Sequence, residues 1–209
     1  MSQNIAIIPA RGGSVRLPRK NILSFGGMPV IHYTIKAAQD SGFFQKVVVS
    51  TEDDEIKSIV SGMACEVHHR NSELATDTTR VVDVLREVLA FYSRKDQEFD
   101  SLCCLYPTAP LRDASDIRKA AELMVLKRAD YCVGITEYHY SPFFAFDLKE
   151  DESIYRRWPD HFKLPPTEKP KVVVDNGSMY WASVDAFLKS GELEGENSIG
   201  YMMPRSRSV

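Results

Sequence analysis

IAIIPARGGSVRLPRKN (Ile5–Asn21), with VIHYTIKAAQD (Val30–Asp40) and KVVVST (Lys46–Thr51) after it, decides the fold. IAIIPA is a short β-branched run closed by Pro and Gly, the pattern of a strand buried on both faces. Pro29 then stands at a helix start, and Ile31, Ile35 and Ala38 recur at helical spacing up to Gly42. KVVVST is a second buried strand. A strand, a basic glycine-containing loop, a helix and a second strand form the unit that builds parallel sheets.

Working outward, the alternation continues. Asp53–Ala64 reads as a helix with acids in its first turn, where the helix dipole favours them. Cys65–His69 reads as a third strand. Val81, Val84, Leu85, Val88, Leu89 and Tyr92 make one apolar helical stripe. Ser101–Tyr106 and Tyr131–Ile135 are further strands. Between them Asp113 caps a helix that shows Ile117, Ala120, Ala121 and Met124 on one face. The class is α/β: a Rossmann-like, mostly parallel sheet with helices on both faces. Ligands of such sheets sit beyond the carboxyl ends of the strands. The chemistry is therefore expected in the loops after Ala10, Thr51, Tyr106 and the strand near Val172.

Residues 137–171 break the pattern. They hold five of the eleven prolines, and Phe143, Phe144, Phe146, Tyr155, Trp158 and Phe162 need burial. The segment reads as an inserted arm, which either packs on a partner subunit or closes over its own sugar site. The α/β domain is then 1–136 with 172–209. Lys171–Ala182 returns to strand character around a turn-forming Asp175-Asn176-Gly177.

Bulk properties narrow the function. With 209 residues, 44% apolar and 26% charged, the chain suits one globular domain. A net charge of −3 and a single basic cluster argue against a nucleic-acid binder. No run approaches the roughly 18 apolar residues of a membrane span, and the N-terminus lacks a signal peptide's features, so a cytoplasmic location is expected. The four cysteines, Cys65, Cys103, Cys104 and Cys132, contain no C-x-x-C pair, and buried reduced thiols are expected. The histidines show no metal-ligand spacing.

The loop after the first strand holds Arg11, Arg16, Arg19 and Lys20 and no acid. Gly12 and Gly13 can adopt angles that other residues avoid and let a ligand approach the main chain. Consecutive N–H groups there can form a concave anion site. Cations over such a nest suit a polyphosphate, each charge-assisted hydrogen bond contributing about 1.5–3 kcal/mol. Neither the Walker pattern nor the dinucleotide fingerprint is present. Local composition alone also allows a solvated basic loop or an import signal in RLPRK.

IAIIPARGGSVRLPRKN resembles the opening motif of the acylneuraminate cytidylyltransferases, the CMP-sialic acid synthetase family. The resemblance continues at VVVSTEDDEI, HRNSELATDTT, LYPTAPLRDASDI and DNGSMYWA, in the family's order over nearly the whole chain. The branch that activates pseudaminic and related bacterial nonulosonic acids is the most similar. The resemblance implies a nucleotide-diphospho-sugar transferase fold with a small dimerisation arm, and a homodimer. It implies transfer of CMP from CTP to a nine-carbon α-keto acid sugar with release of pyrophosphate, aided by Mg2+. It implies that Arg11 and Lys20 act on the phosphates as catalytic residues. Gly12, Gly13, Asn21 and Arg70 would bind CTP, with Asp77 in the following loop. Tyr106, Asp175, Asn176 and Gly177 would lie beside the sugar, whose carboxylate would need a cation such as Arg156, Arg157 or Lys163. Two departures stand out. Tyr106 replaces a Gln of the sialic-acid enzymes, and Val174-Asp175 replaces the family's Arg before Asn-Gly. The family's magnesium-binding Asp-x-Asp follows a segment like PRSRSV, so those ligands are expected beyond Val209. The alternatives are a 3-deoxy-manno-octulosonate cytidylyltransferase and a non-catalytic nucleotide-binding homologue.

Overall fold

The computed structural model describes residues 3–15 and 17–208. Arg16, counted above among the loop cations, and Val209 lie outside the described residues. The strands in chain order are β1 (Asn4–Pro9), β2 (Ser24–Phe25), β3 (Met28–Pro29), β4 (Lys46–Thr51), β5 (Glu66–His69), β6 (Ser101–Leu105), β7 (Tyr131–Glu137), β8 (Phe146–Leu148), β9 (Ile154–Arg156), β10 (Val173–Ser183) and β11 (Ser198–Met202). The helices are α1 (Val30–Ser41), α2 (Asp54–Val60), α3 (Val81–Ser93), α4 (Ala114–Lys127), α5 (Pro159–Lys163) and α6 (Val184–Ser190). Seven strands form one sheet in the order β11-β7-β10-β6-β1-β4-β5. Only β10 runs antiparallel to its neighbours, so the sheet is mostly parallel as expected.

Alternation along β1 assigns the two faces. Ala6 and Ile8 pack with α1, α2 and α4 on one side. Ile5 and Ile7 pack with α3 and α6 on the other. Cys103 and Cys104 are consecutive in β6 and fall on opposite faces. Burial pushes the Cys104 thiol up to about 12, which suits inert packing. Gly42 closes α1 in the left-handed conformation (φ 64°), which glycine adopts without steric cost. Asp53 caps α2 and accepts from the Ile56 N–H. The helix ends at Val60, short of the expected Ala64, because Ser61-Gly62 opens a turn that feeds β5. At α4, Asp113 and Asp116 form a reciprocal capping box.

The turn-forming Asp175-Asn176-Gly177 lies within a single strand. β10 is continuous, and its pairing with β7 shifts register between Asp175 and Tyr180. The triplet is a bulge, with Gly177 at φ 61° and the Asp175 carboxylate accepting from the Gly177 N–H at 2.8 Å. Within 137–171, β8 and β9 pair only with each other, outside the seven-stranded sheet, and Phe144, Leu148, Ile154 and Tyr155 are exposed. No helix among the described residues is long and apolar enough to cross a membrane.

Candidate active site

The connection from β1 to β4 uses one face of the sheet, and α3 returns from β5 to β6 on the other. The strand order therefore reverses between β1 and β6, which opens a crevice at their carboxyl ends. A cleft of about 430 Å³ lies there. Arg11, Lys20 and Asn21 line it from the β1 loop, Arg70 from the end of β5, and Tyr106 from the end of β6. Segments far apart in sequence meet because adjacent parallel strands end at one level.

Each side chain has a structural cause for its place. Asn21 is buried, and its Nδ2 donates to the Arg11 carbonyl at 2.9 Å, which braces the loop across its base. Arg70 is 3% exposed; its Nη2 donates to the Ser50 carbonyl at 2.7 Å. Burial lowers its pKa, with Glu52 and Glu87 acting against that, and the guanidinium stays charged. Glu52 and Glu87 each keep one buried oxygen with no hydrogen-bond partner. Arg11 forms an ion pair with Asp77, which also lines the cleft.

The loop differs in detail from a simple cradle of four cations. Arg19 adopts the left-handed conformation at φ 59° and turns its guanidinium away to Asp53, at 2.6 and 2.9 Å, and to Glu55. Neither Gly12 nor Gly13 has a positive φ, so neither supplies the unusual angles expected of them. Gly12 is needed for space: a Cβ there would lie 2.2 Å from Asp53 Oδ2. Its N–H donates to Glu52 Oε1 at 2.7 Å, so a carboxylate occupies part of the expected anion nest. Gly13 is exposed, with nothing near its Cβ position.

Of the residues expected beside the sugar, Tyr106 and Asp175 share a groove. This second groove also contains Tyr180 and shares Tyr106 and Val81 with the cleft. The Tyr106 and Tyr180 rings meet edge-on at 5.5 Å, and the Tyr180 hydroxyl donates to Asp175 Oδ2 at 2.6 Å. Burial raises the pKa of both phenols. Asn176 is buried, and its amide is used internally: Oδ1 accepts from the Ser178 N–H at 3.1 Å and Nδ2 donates to Ser208 Oγ at 3.3 Å. Asn176 and Gly177 shape the bulge but line neither groove. In the arm, Arg156 lies over the Phe146 and Phe162 rings, and Arg157 pairs with Asp147 at 3.5 Å. Lys163 ends α5. Among the described residues, no group of three His, Cys, Asp or Glu side chains is placed to hold a metal ion.

The profile of the family described as Cytidylyltransferase matches residues 5–151. A pseudaminic acid cytidylyltransferase of Campylobacter jejuni is 32% identical over 98% of this chain and 88% of its own. The chain belongs to the acylneuraminate-type cytidylyltransferases. An N-acylneuraminate cytidylyltransferase A of Danio rerio is 31% identical over 98% of this cytidylyltransferase but only 46% of its own length. Among solved structures, CMP:2-keto-3-deoxy-manno-octonic acid synthetase complexed with CTP superposes with a TM-score of 0.71. The superposition covers 97% of this chain and 90% of that one at 19% identity, which shows a shared fold.

Two residues carry no local signal in the sequence. Glu52 meets the Gly12 N–H only once β1 and β4 pair. Arg112, between Leu111 and Asp113 at a helix start, is 2% exposed.

Proposed function

We propose that this cytidylyltransferase transfers CMP from CTP to a nine-carbon α-keto acid sugar of the pseudaminic, legionaminic or sialic type, releasing pyrophosphate. What carries the reading is the convergence of Arg11, Lys20, Asn21, Arg70 and Tyr106 on one cleft at the switch point. The near full-length similarity to a pseudaminic acid cytidylyltransferase supports this sugar class over 3-deoxy-manno-octulosonate.

In the proposed reaction the sugar's anomeric hydroxyl attacks the α-phosphorus and pyrophosphate leaves. Such a transfer depends on positioning and on neutralising charge. Arg11, once released from Asp77, and Lys20 hold the phosphates and stabilise the leaving group. Arg70 marks the cytidine side, and the Tyr106–Tyr180 wall faces the acceptor. Mg2+ needs only one or two protein carboxylates beside substrate phosphates, and Asp77 is the acid at the cleft that fits that demand. Such an ion neutralises phosphate charge when bound. The exposed aromatic and aliphatic side chains of the arm support a homodimer built through β8, β9 and α5. The need for CTP supports a cytoplasmic site of action.

The test is pyrophosphate release from CTP with Mg2+ across pseudaminic, legionaminic, sialic and 3-deoxy-manno-octulosonic acids. Release with at least one nine-carbon acid is expected. Release with none of the three nine-carbon acids sinks the reading.

A further inference from the structure

Arg112 is 2% exposed, and no carboxylate of the described residues is hydrogen-bonded to it. Its Nη1 donates to the Ser178 carbonyl at 2.6 Å and to Ser178 Oγ at 3.4 Å. Its Nη2 donates to Thr34 Oγ1 at 2.9 Å, and its Nε is buried without a partner. Burial draws its pKa down to about 10. Asp116 acts on it only through space, and a buried cation with no hydrogen-bonded carboxylate is costly, so an apolar side chain of similar volume fills such a site more cheaply. The compensation lies in what the two prongs hold.

The Ser178 carbonyl also accepts the backbone N–H of Tyr106 at 3.2 Å. Thr34 Oγ1 in turn lies 3.3 Å from the Tyr106 carbonyl and 3.4 Å from the Pro107 carbonyl, the acceptors for its hydroxyl. Both backbone polar groups of Tyr106 therefore lead to one guanidinium, the N–H through Ser178 and the carbonyl through Thr34. Ser178 belongs to the bulge that carries Asp175, whose carboxylate takes the Tyr180 hydroxyl. Arg112 thus links α1, the loop after β6 and the bulge of β10.

We propose that Arg112 is a positioning residue for the acceptor sugar: it fixes the Tyr106 and Asp175 wall, and its hydrogen bonds reach no described residue of the Arg11–Asn21 loop. The inference rests on the reading that places the acceptor along Tyr106. Misplacement of such a wall raises the KM for the sugar by roughly 10- to 100-fold and that for CTP by less, because Tyr106 borders both grooves while Arg11, Lys20, Asn21 and Arg70 keep their places.

The variants are Arg112→Met and Thr34→Val, with Thr34→Ser restoring the hydroxyl. Steady-state kinetics in each substrate, thermal unfolding and amide hydrogen exchange are measured on each. Met and Val are expected to raise the sugar KM selectively and to speed exchange at the Tyr106 and Ala109 amides. The double variant is expected to be no worse than the more affected single one, and Thr34→Ser to behave as the parent. A folded variant with an unchanged sugar KM, or with both KM values raised equally, overturns the proposal. If Arg112→Met does not fold, Thr34→Val decides alone. If the parent accepts no nonulosonic acid, the functional reading fails by itself, and amide exchange still decides the link. Unchanged exchange at Tyr106 overturns it, and quickened exchange supports it.

Discussion

Replacing Gly12 by Ala tests whether the cleft loop is specified by space. The added Cβ would lie 2.2 Å from Asp53 Oδ2, 2.7 Å from its Cγ and 2.9 Å from its Cβ, so rotating the end of the side chain does not clear it. Asp53 caps α2 through the Ile56 N–H at 2.9 Å and holds Arg19 with two bonds. Losing the cap costs about 1 kcal/mol. The Arg19 pair is partly exposed, with side-chain exposures of 36% and 19%, and is worth about 0.5–1 kcal/mol after screening. The Gly12 N–H bond to Glu52 is charge-assisted, and loosening it costs about another 1 kcal/mol. Restricting the unfolded chain returns about 0.5 kcal/mol. The net is a loss of about 2 kcal/mol, or about 4–8 °C in Tm for a chain of this size. Gly13→Ala is the control: nothing lies within 4 Å of its Cβ position and its φ is not positive, so a change under about 0.5 kcal/mol is expected. Thermal unfolding by circular dichroism compares the two. Equal Tm values for both variants would refute the steric argument.

Four further outcomes are expected. Lys20→Ala lowers kcat by roughly 100-fold or more with little change in Tm, because a group aimed at phosphate charge stabilises the transition state; proportionate losses of activity and stability would make it structural. Arg70→Met leaves the Glu52 and Glu87 charges without their buried counter-cation and costs about 3 kcal/mol in urea unfolding, with a raised KM for CTP; a neutral effect on both contradicts its placement. Asp113→Ala removes the α4 capping box and costs about 1 kcal/mol by the same assay, and no loss would mean the box is decorative. Burial lowers the folded-state pKa of His68, so below about pH 6.5 the unfolded chain takes up a proton that the folded chain refuses. Stability from this group is full above that pH and falls as the pH drops toward the folded-state value. Glu87 opposes the shift, while Arg70, His69 and Arg94 reinforce it. His68→Asn should flatten the Tm profile between pH 7 and 5.5, and an identical slope in both proteins would count against it.

The legible part of the fold was the part governed by local periodicity. Ile5–Ala10, Lys46–Thr51 and the Val81–Tyr92 stripe each carry their element in their own spacing, and strand order then follows from α/β connection rules. The turn chemistry of Asp175–Gly177 is legible in the sequence, but not that it forms a bulge inside one strand. Only pairing with β6 and β7 keeps the strand continuous through it. The cleft residues of the loop were legible as cations. Which of them face the cleft was not, because Arg19 is drawn off by Asp53 and Glu55, which reach it only after β4 pairs with β1. Arg112 was invisible for the same reason: its partners Thr34 and Ser178 lie 78 and 66 residues away.

The most direct measurement follows the α-phosphate. CTP labelled at that phosphorus is incubated with the protein, Mg2+ and the acceptor sugar that gives most pyrophosphate. The label is expected in a CMP-sugar, with one pyrophosphate released per product and none without the acceptor. Label recovered only as CTP, or as free CMP with no sugar attached, would contradict the assignment of the Arg11–Asn21 cleft to cytidylyl transfer.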